Sequence, residues 1–181
     1  MVAITITAVA GSAVLLGMSS ALQNTANATD QTIGLGMAQQ LMSEISEKFY
    51  CATKNSPYDT PLGANSSDTL GFGRSGYSNL ASYNGLRTEP AKDPFGVTLG
   101  TDNGTGGTRN PALNATNSYF TRWRQEVDVY YVSNTDQAVK LTGTNTSDFR
   151  CVEVRIKYDD PVLGLRPITT LKQVFAYVAA P

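Results

Sequence analysis

No charged side chain occurs between Met1 and Thr29; the first is Asp30. Within that stretch MVAITITAVAGSAVLLGM is almost wholly apolar, broken only by Thr5, Thr7, Gly11, Ser12 and Gly17. Threonine and serine return their hydroxyls to the backbone carbonyl one turn back, so they are compatible with a helix in apolar surroundings. A run of about 18 such residues spans roughly 27 Å as a helix, close to the thickness of a bilayer's hydrocarbon core. Three structures compete for this segment. A signal peptide wants a positively charged beginning, and the first basic residue is Lys48. A permanent transmembrane anchor wants a basic cluster after the run, and none follows. A helix that rests in lipid until it packs against copies of itself needs neither, and the pattern that follows favours it.

From Ala21 to about Tyr50 there is no proline, and the pattern turns amphipathic. Ala38, Leu41, Met42, Ile45 and Phe49 recur at i, i+3, i+4, i+7 and i+11, opposite Gln39, Gln40, Ser43, Glu44, Glu47 and Lys48. The spacing predicts one helix of up to about 50 residues, roughly 75 Å long. Its first part, 1–28, is expected to protrude, and its second part, 29–50, to belong to a head formed by 29–181. A single small domain has no means of burying the first part, so other molecules must cover it. Gly11, Gly17, Gly34 and Gly36 each cost about 1 kcal/mol relative to alanine and mark points of loosening or close packing.

Chemistry is narrowed by what the chain lacks. It contains no histidine, which removes the commonest general acid–base and the commonest ligand for zinc, copper and iron. The formal net charge of −1 provides no field to draw in nucleic acid. An enzyme is therefore not expected, nor a cofactor, a metal or a nucleic-acid partner. Cys51 and Cys151 form no CxxC motif. Either they remain two thiols or they join in an oxidising compartment, which is the expectation that an exported chain favours. Such a bond closes a loop of about 100 residues and is valued by the chain-entropy account at about 4–5 kcal/mol.

Residues 52–118 hold more than half of the 16 glycines and of the eight prolines. Turn signals recur at Ser56-Pro57, Asn84-Gly85, Asp93-Pro94 and Asn103-Gly104, so a long irregular region is predicted. Tyr58, Phe72, Tyr77, Tyr83 and Phe95 are expected to pin it to the rest of the head. Residues 119–181 read as antiparallel sheet. Trp123, Val127, Val129 and Tyr131 alternate with Arg124, Glu126 and Asp128; Val152, Val154, Ile156 and Tyr158 alternate with Glu153, Arg155 and Lys157. A last run from about Thr169 to Ala179 contains Leu171, Val174, Phe175, Tyr177 and Val178, and Asp160-Pro161-Val162-Leu163-Gly164 suits a hairpin loop. The expected architecture is α+β, with the helix lying on three or four antiparallel strands.

Taken in this order, the charge-free apolar start, the long helix, the loop region and the terminal sheet resemble the type IV pilin family. VAITITAVAGSAVLLGM is similar to the hydrophobic stalk of prepilin-type proteins, and GMAQQLMSEI to its continuation into the head. The similarity in wording is confined to residues 1–50. The family typically has a glutamate at the fifth mature position, where this sequence has Thr5; either the sequence starts several residues inside the mature chain, which is the expectation, or this protein lacks the glutamate. The resemblance implies a homo-oligomeric helical filament at the cell surface, built by an inner-membrane assembly machine from a precursor anchored in the bilayer. It also implies a filament core made by Val2, Ile4, Ile6, Val9, Val14, Leu15, Leu16 and Leu22, where each buried aliphatic side chain contributes about 1.5–3 kcal/mol. Ala8, Ala10, Gly11, Ser12 and Ala13 would let these helices approach closely. Two other readings are a minor pseudopilin of a type II secretion-like system and a membrane-tethered binding module that never polymerises.

Some local motifs have a plainer explanation. Thr101–Gly107 and Asp159-Asp160 supply oxygens of the kind calcium takes, but too few of the 6–8 it needs, and turn chemistry accounts for them. Asn27, Asn65, Asn103, Asn114 and Asn145 begin Asn-x-Ser/Thr sequons, several of which a chain rich in Asn and Thr produces by chance; surface glycosylation is the other reading, assigned to no single residue. Arg122, Arg124, Arg150, Arg155 and Lys157 are expected on the exposed sheet face, interleaved with acidic residues into a solvated mixed-charge surface. Trp123 is expected in the core.

Overall fold

The computed structural model describes residues 2–52, 56–65, 68, 73–101 and 119–178; within the helix it describes the side chains of Leu15 and of Met18 onward. Helix α1 runs Val2–Ser46, and four strands follow: β1 Leu86–Thr88, β2 Trp123–Tyr131, β3 Phe149–Asp160 and β4 Gly164–Ala176. They form one antiparallel sheet in the order β1-β2-β3-β4. The fold is α+β.

Alternation along β2 and β3 divides the sheet into two faces. Trp123, Val127 and Val129 of β2 and Val152, Val154 and Ile156 of β3 are buried on the inner face. Met37, Ala38, Leu41, Met42 and Ile45 of α1 cover them and complete the core. Full burial of such side chains stabilises by about 1.5–3 kcal/mol each, which is what holds the helix on the sheet. Helix and sheet approach closely at Gly34, where a Cβ would stand 2.5 Å from Ile168 Cγ2 and 3.4 Å from Trp123 Cζ3. Exposed threonines on the same helix bond back by one turn: the hydroxyls of Thr25, Thr29 and Thr32 donate to the carbonyls of Ala21, Thr25 and Ala28 at 2.9, 3.0 and 2.9 Å.

Several expectations need correction. The helix ends at Ser46 rather than near Tyr50, because the chain beyond it is recruited by another segment. Phe49 N–H donates to Ser78 and its carbonyl accepts from Leu80 N–H. Phe49 therefore leaves the apolar helical face and lies 78% exposed. The sheet is not confined to 119–181: β1 comes from the irregular region and pairs Leu86, Arg87 and Thr88 with Val127, Glu126 and Gln125. β4 starts at Gly164, well before Thr169, because Asp160 closes a tight hairpin by accepting the N–H groups of Val162 and Leu163 at 2.8 and 3.0 Å. Gly164 takes the positive φ of 74° that this turn requires. In β4 only Leu171 and Phe175 of the expected apolar run pack on the core, and Val174 is exposed on the outer face.

Candidate assembly surface

Helix α1 is tied to the sheet from Asn27 onward. Arg166 at the start of β4 donates to Asn27 Oδ1 at 3.2 Å and to Asp30 Oδ2 at 2.7 Å, while Tyr119 O–H donates to Asp30 Oδ1 at 3.2 Å. Burial, then the Asp30 charge, pushes the Tyr119 phenol up to about 12. Since Ile168 of the same strand meets Gly34, β4 and α1 run alongside one another in the same direction. Upstream of Asn27 the helix continues to Val2, roughly 37 Å of rod at 1.5 Å per residue. Residues 18–29 are exposed. Leu15, Met18 and Leu22, at i, i+3 and i+7, are 67%, 61% and 72% exposed and form an apolar stripe that the chain itself does not cover.

Of the residues assigned to a filament core, Leu15 and Leu22 are thus on this stripe. The side chains of Val2, Ile4, Ile6, Val9, Val14 and Leu16 lie outside the described residues, as do those of Ala8, Ala10, Gly11, Ser12 and Ala13. Among the described residues no helix is long and apolar enough to cross a membrane.

A second set of contacts makes the head rigid where the rod enters it. Arg74, buried in the irregular region, forms a two-pronged ion pair with Glu44 of α1 at 2.9 and 3.0 Å. It also donates to the Lys92 carbonyl at 3.1 Å, and Tyr83 O–H donates to Glu44 at 2.9 Å. Burial, reinforced by the Glu44 charge, pushes the Tyr83 phenol far above its usual range. Gln125 of β2 accepts from Thr88 Oγ1 at 2.9 Å and Lys92 N–H at 3.0 Å, joining loop to sheet. Asp68 gathers Asn65 N–H and the hydroxyls of Ser78 and Ser82 at 2.9, 3.0 and 2.8 Å. Burial alone would push its carboxyl up, but these donors outweigh burial and hold it below the carboxylate range. Periodicity does not predict any of these contacts, because loop-to-helix partners lie about 30 residues apart without a repeating pattern.

Arg150 was expected on the exposed face, and the structure places it on the inner one. Its guanidinium is fully buried, donating to the carbonyls of Tyr50 and Pro57 at 2.6 and 2.7 Å and to Tyr131 Oη at 2.7 Å. It lies over the rings of Tyr50 and Tyr131. This clamp fixes the chain leaving α1. Cys151, next to Arg150 in an extended strand, faces the other way and stands opposite Tyr130 on the outer face. The expected Cys51–Cys151 disulfide is not formed; Cys51 is half-buried and Cys151 buried.

The outer face carries the mixed charge read from the sequence. Asp128 stands opposite Glu153 in the register, a repulsive pairing that Arg155 relieves by bonding to both, with Glu153 at 2.9 Å. Arg155 reaches Glu126 at 3.3 Å, and Arg87, Lys157 and Lys172 bond to Asp128, Glu126 and Glu153 at 2.6, 2.7 and 3.2 Å. Partial burial pushes these carboxyls up, but the cationic donors prevail and hold Glu126, Asp128 and Glu153 below the usual range. Arg122 is exposed in a short turn before β2, and Arg124 pairs with Glu89 at 2.7 Å. An open depression of about 440 Å³ lies between Thr60–Leu62, Tyr130 and Lys140–Gly143. Its aromatic wall is engaged, Lys140 sitting over the Tyr130 ring and Tyr130 O–H donating to Glu153. Among the described residues no three His, Cys, Asp or Glu side chains converge as a metal site would require. Beyond Thr101, the Thr101–Gly107 loop lies outside the described residues, and so do Asn103 and Asn114.

Compared with protein-family models, with curated proteins and with solved structures, the chain matches none.

Proposed function

We propose that this chain is the structural subunit of an extracellular filament of the type IV pilus kind. The observation that carries the reading is the rod: a helix from Val2 to Ser46 whose projecting part presents Leu15, Met18 and Leu22 to solvent and no charge before Asp30. Burying one such side chain between helices contributes about 1.5–3 kcal/mol, so the rod drives association unless lipid or another rod covers it. Lipid covers it in an inner-membrane precursor, and neighbouring copies cover it after the assembly machine draws the subunit out. The helix lying on an antiparallel sheet supports the family resemblance, and the ties of Arg74, Arg150 and Arg166 make the head a stiff block able to repeat along a filament. Val2, Ile4, Ile6, Val9, Val14 and Leu16 extend the cohesive surface in this reading.

Assembly tests it. Purified chain in detergent is diluted below the micelle threshold and examined by negative-stain electron microscopy and sedimentation. Filaments of uniform width are the expected result, and L15N/M18N/L22N yields soluble monomers with an unchanged head Tm. A chain that remains in micelles, or that gives amorphous aggregate in both forms, overturns the filament reading in favour of a membrane-tethered module. Short, sparse polymers that depend on a secretion apparatus point to the pseudopilin instead.

A further inference from the structure

β4 is an edge of the sheet, and its two halves differ. Tyr177 N–H donates to the Asp148 carbonyl at 2.8 Å, and the Phe149 carbonyl accepts from Val132 N–H on the β2 side at 3.1 Å. By the alternation of an antiparallel ladder, Leu171, Gln173 and Phe175 then bond toward β3. Thr170, Lys172, Val174 and Ala176 turn their N–H and C=O groups away from the sheet, and no bond to these groups is made among the described residues. All four are exposed. Native sheets normally block such an edge with a proline, a bulge or a projecting charge. The first half of β4 has Pro167 and a bulge opposite Ile156 and Lys157. Thr170 to Ala176 has neither, and its one charge, Lys172, is held by Glu153 at 3.2 Å. A row of unpaired ladder groups is complementary to another extended backbone.

We infer that this open edge takes the β1 edge of a second copy of this chain, so that the sheet continues from one head to the next. The inference rests on the filament reading and names a head-to-head contact within it. Direction selects β1. β4 runs with α1 and β1 runs against β4, so a copy displaced sideways with its rod parallel presents β1 antiparallel to β4, inner faces on the same side. A second β4 matches only when turned end for end, which points its rod the opposite way. The β1 edge is also open. Val129 N–H reaches Asn84 Oδ1 at 2.9 Å, so Val127 and Gln125 bond on the β1 side and engage Leu86 and Thr88. Arg87 is left pointing outward, and Gly85, Arg87 and Glu89 are exposed. Charge selects the register. With the copy's Arg87 opposite Val174, its Glu89 stands opposite Lys172 on the outer face; slid by two residues, Arg87 would instead face Lys172, cation against cation. The Lys172 and Glu89 side chains are 57% and 47% exposed, which leaves each room for a second partner beside Glu153 and Arg124. β1 has only three residues, so the rod supplies the affinity and the ladder fixes the lateral register.

Amide exchange and photocrosslinking test it. In the detergent-dispersed full chain the Lys172 and Val174 amides are expected to exchange freely, while those of Leu171, Gln173 and Phe175 are protected. In assembled filaments, quenched and redissolved for NMR, Lys172 and Val174 are expected to gain at least roughly tenfold protection. A benzophenone amino acid then replaces Val174 in isotopically light chain; its side chain lies on the outer face and leaves the edge open. After co-assembly with unsubstituted heavy chain and irradiation, light–heavy adducts are expected on residues 85–89. Val174→Pro removes an outward N–H and no bond to β3, so the head Tm is expected to change little while filament yield at fixed concentration falls about tenfold. Filaments whose Lys172 and Val174 amides exchange as in the dispersed chain, or whose adducts fall only outside residues 85–89, overturn the inference. So do outward amides already protected in the dispersed chain, a result that leaves the filament reading intact. If the unsubstituted chain forms no filament, the filament reading itself fails and this inference fails with it.

Discussion

Removing the guanidinium of Arg74 leaves the Glu44 carboxylate inside the head with Tyr83 as its remaining partner. Breaking a buried pair from one side typically costs about 3–5 kcal/mol, whereas replacing both partners costs much less. R74M is therefore expected to lose stability of that order in urea unfolding, and E44Q/R74M to recover a large part of it. Equal losses in the two variants would mean that the pair does not act as a unit. The outer face responds to pH. Glu126, Asp128 and Glu153 have depressed folded-state values, so their stabilisation is complete above the ordinary carboxylate range, about pH 4, and disappears as pH falls through the depressed values. Melting temperature is expected to fall steeply below about pH 4, less so in R155M, because Arg155 bonds to all three carboxylates. An identical acid slope in R155M contradicts that assignment. The intact, unreduced chain is expected to contain no disulfide, with the half-buried Cys51 alkylated before the buried Cys151; a mass lower by two hydrogens would contradict this.

At the level of elements, two glycines in α1 make a controlled comparison. A Cβ at Gly34 collides with Ile168, so G34A is expected to destabilise by about 1–3 kcal/mol. A Cβ at Gly36 meets nothing within 4 Å, so G36A is expected to stabilise by about 0.5–1 kcal/mol through helix propensity. Thermal unfolding of the two variants checks both signs, and like signs would place the helix wrongly on the sheet. The inner and outer faces of β2 and β3 were legible in the sequence because period-two alternation is written into their residues, and the helical face from Ala38 to Ile45 because its period is 3.6. Phe49 fits the same period but not the structure: Ser78 and Leu80 compete for its backbone, and nothing nearby in sequence announces them. Arg150 and the β1 strand were missed for a similar reason. A buried arginine and a three-residue strand depend on partners that periodicity does not encode.

For the whole molecule, the head and the rod are expected to behave independently. Leu22→Asn removes part of the exposed stripe without touching the core, so the head Tm should be unchanged while assembly weakens; a large loss of Tm would mean that Leu22 serves the head. In the proposed filament, apolar burial drives association and the outer-face ion pairs contribute little, so filaments are expected to tolerate high salt. The most direct measurement is a helical reconstruction, by cryo-electron microscopy at side-chain resolution, of filaments sheared from the native cell surface. The account predicts density that fits Trp123 beneath α1 in each head and a central bundle of rods, with Leu15 and Leu22 buried between copies. Filaments made of another protein, with this chain found only in the membrane fraction, would contradict it.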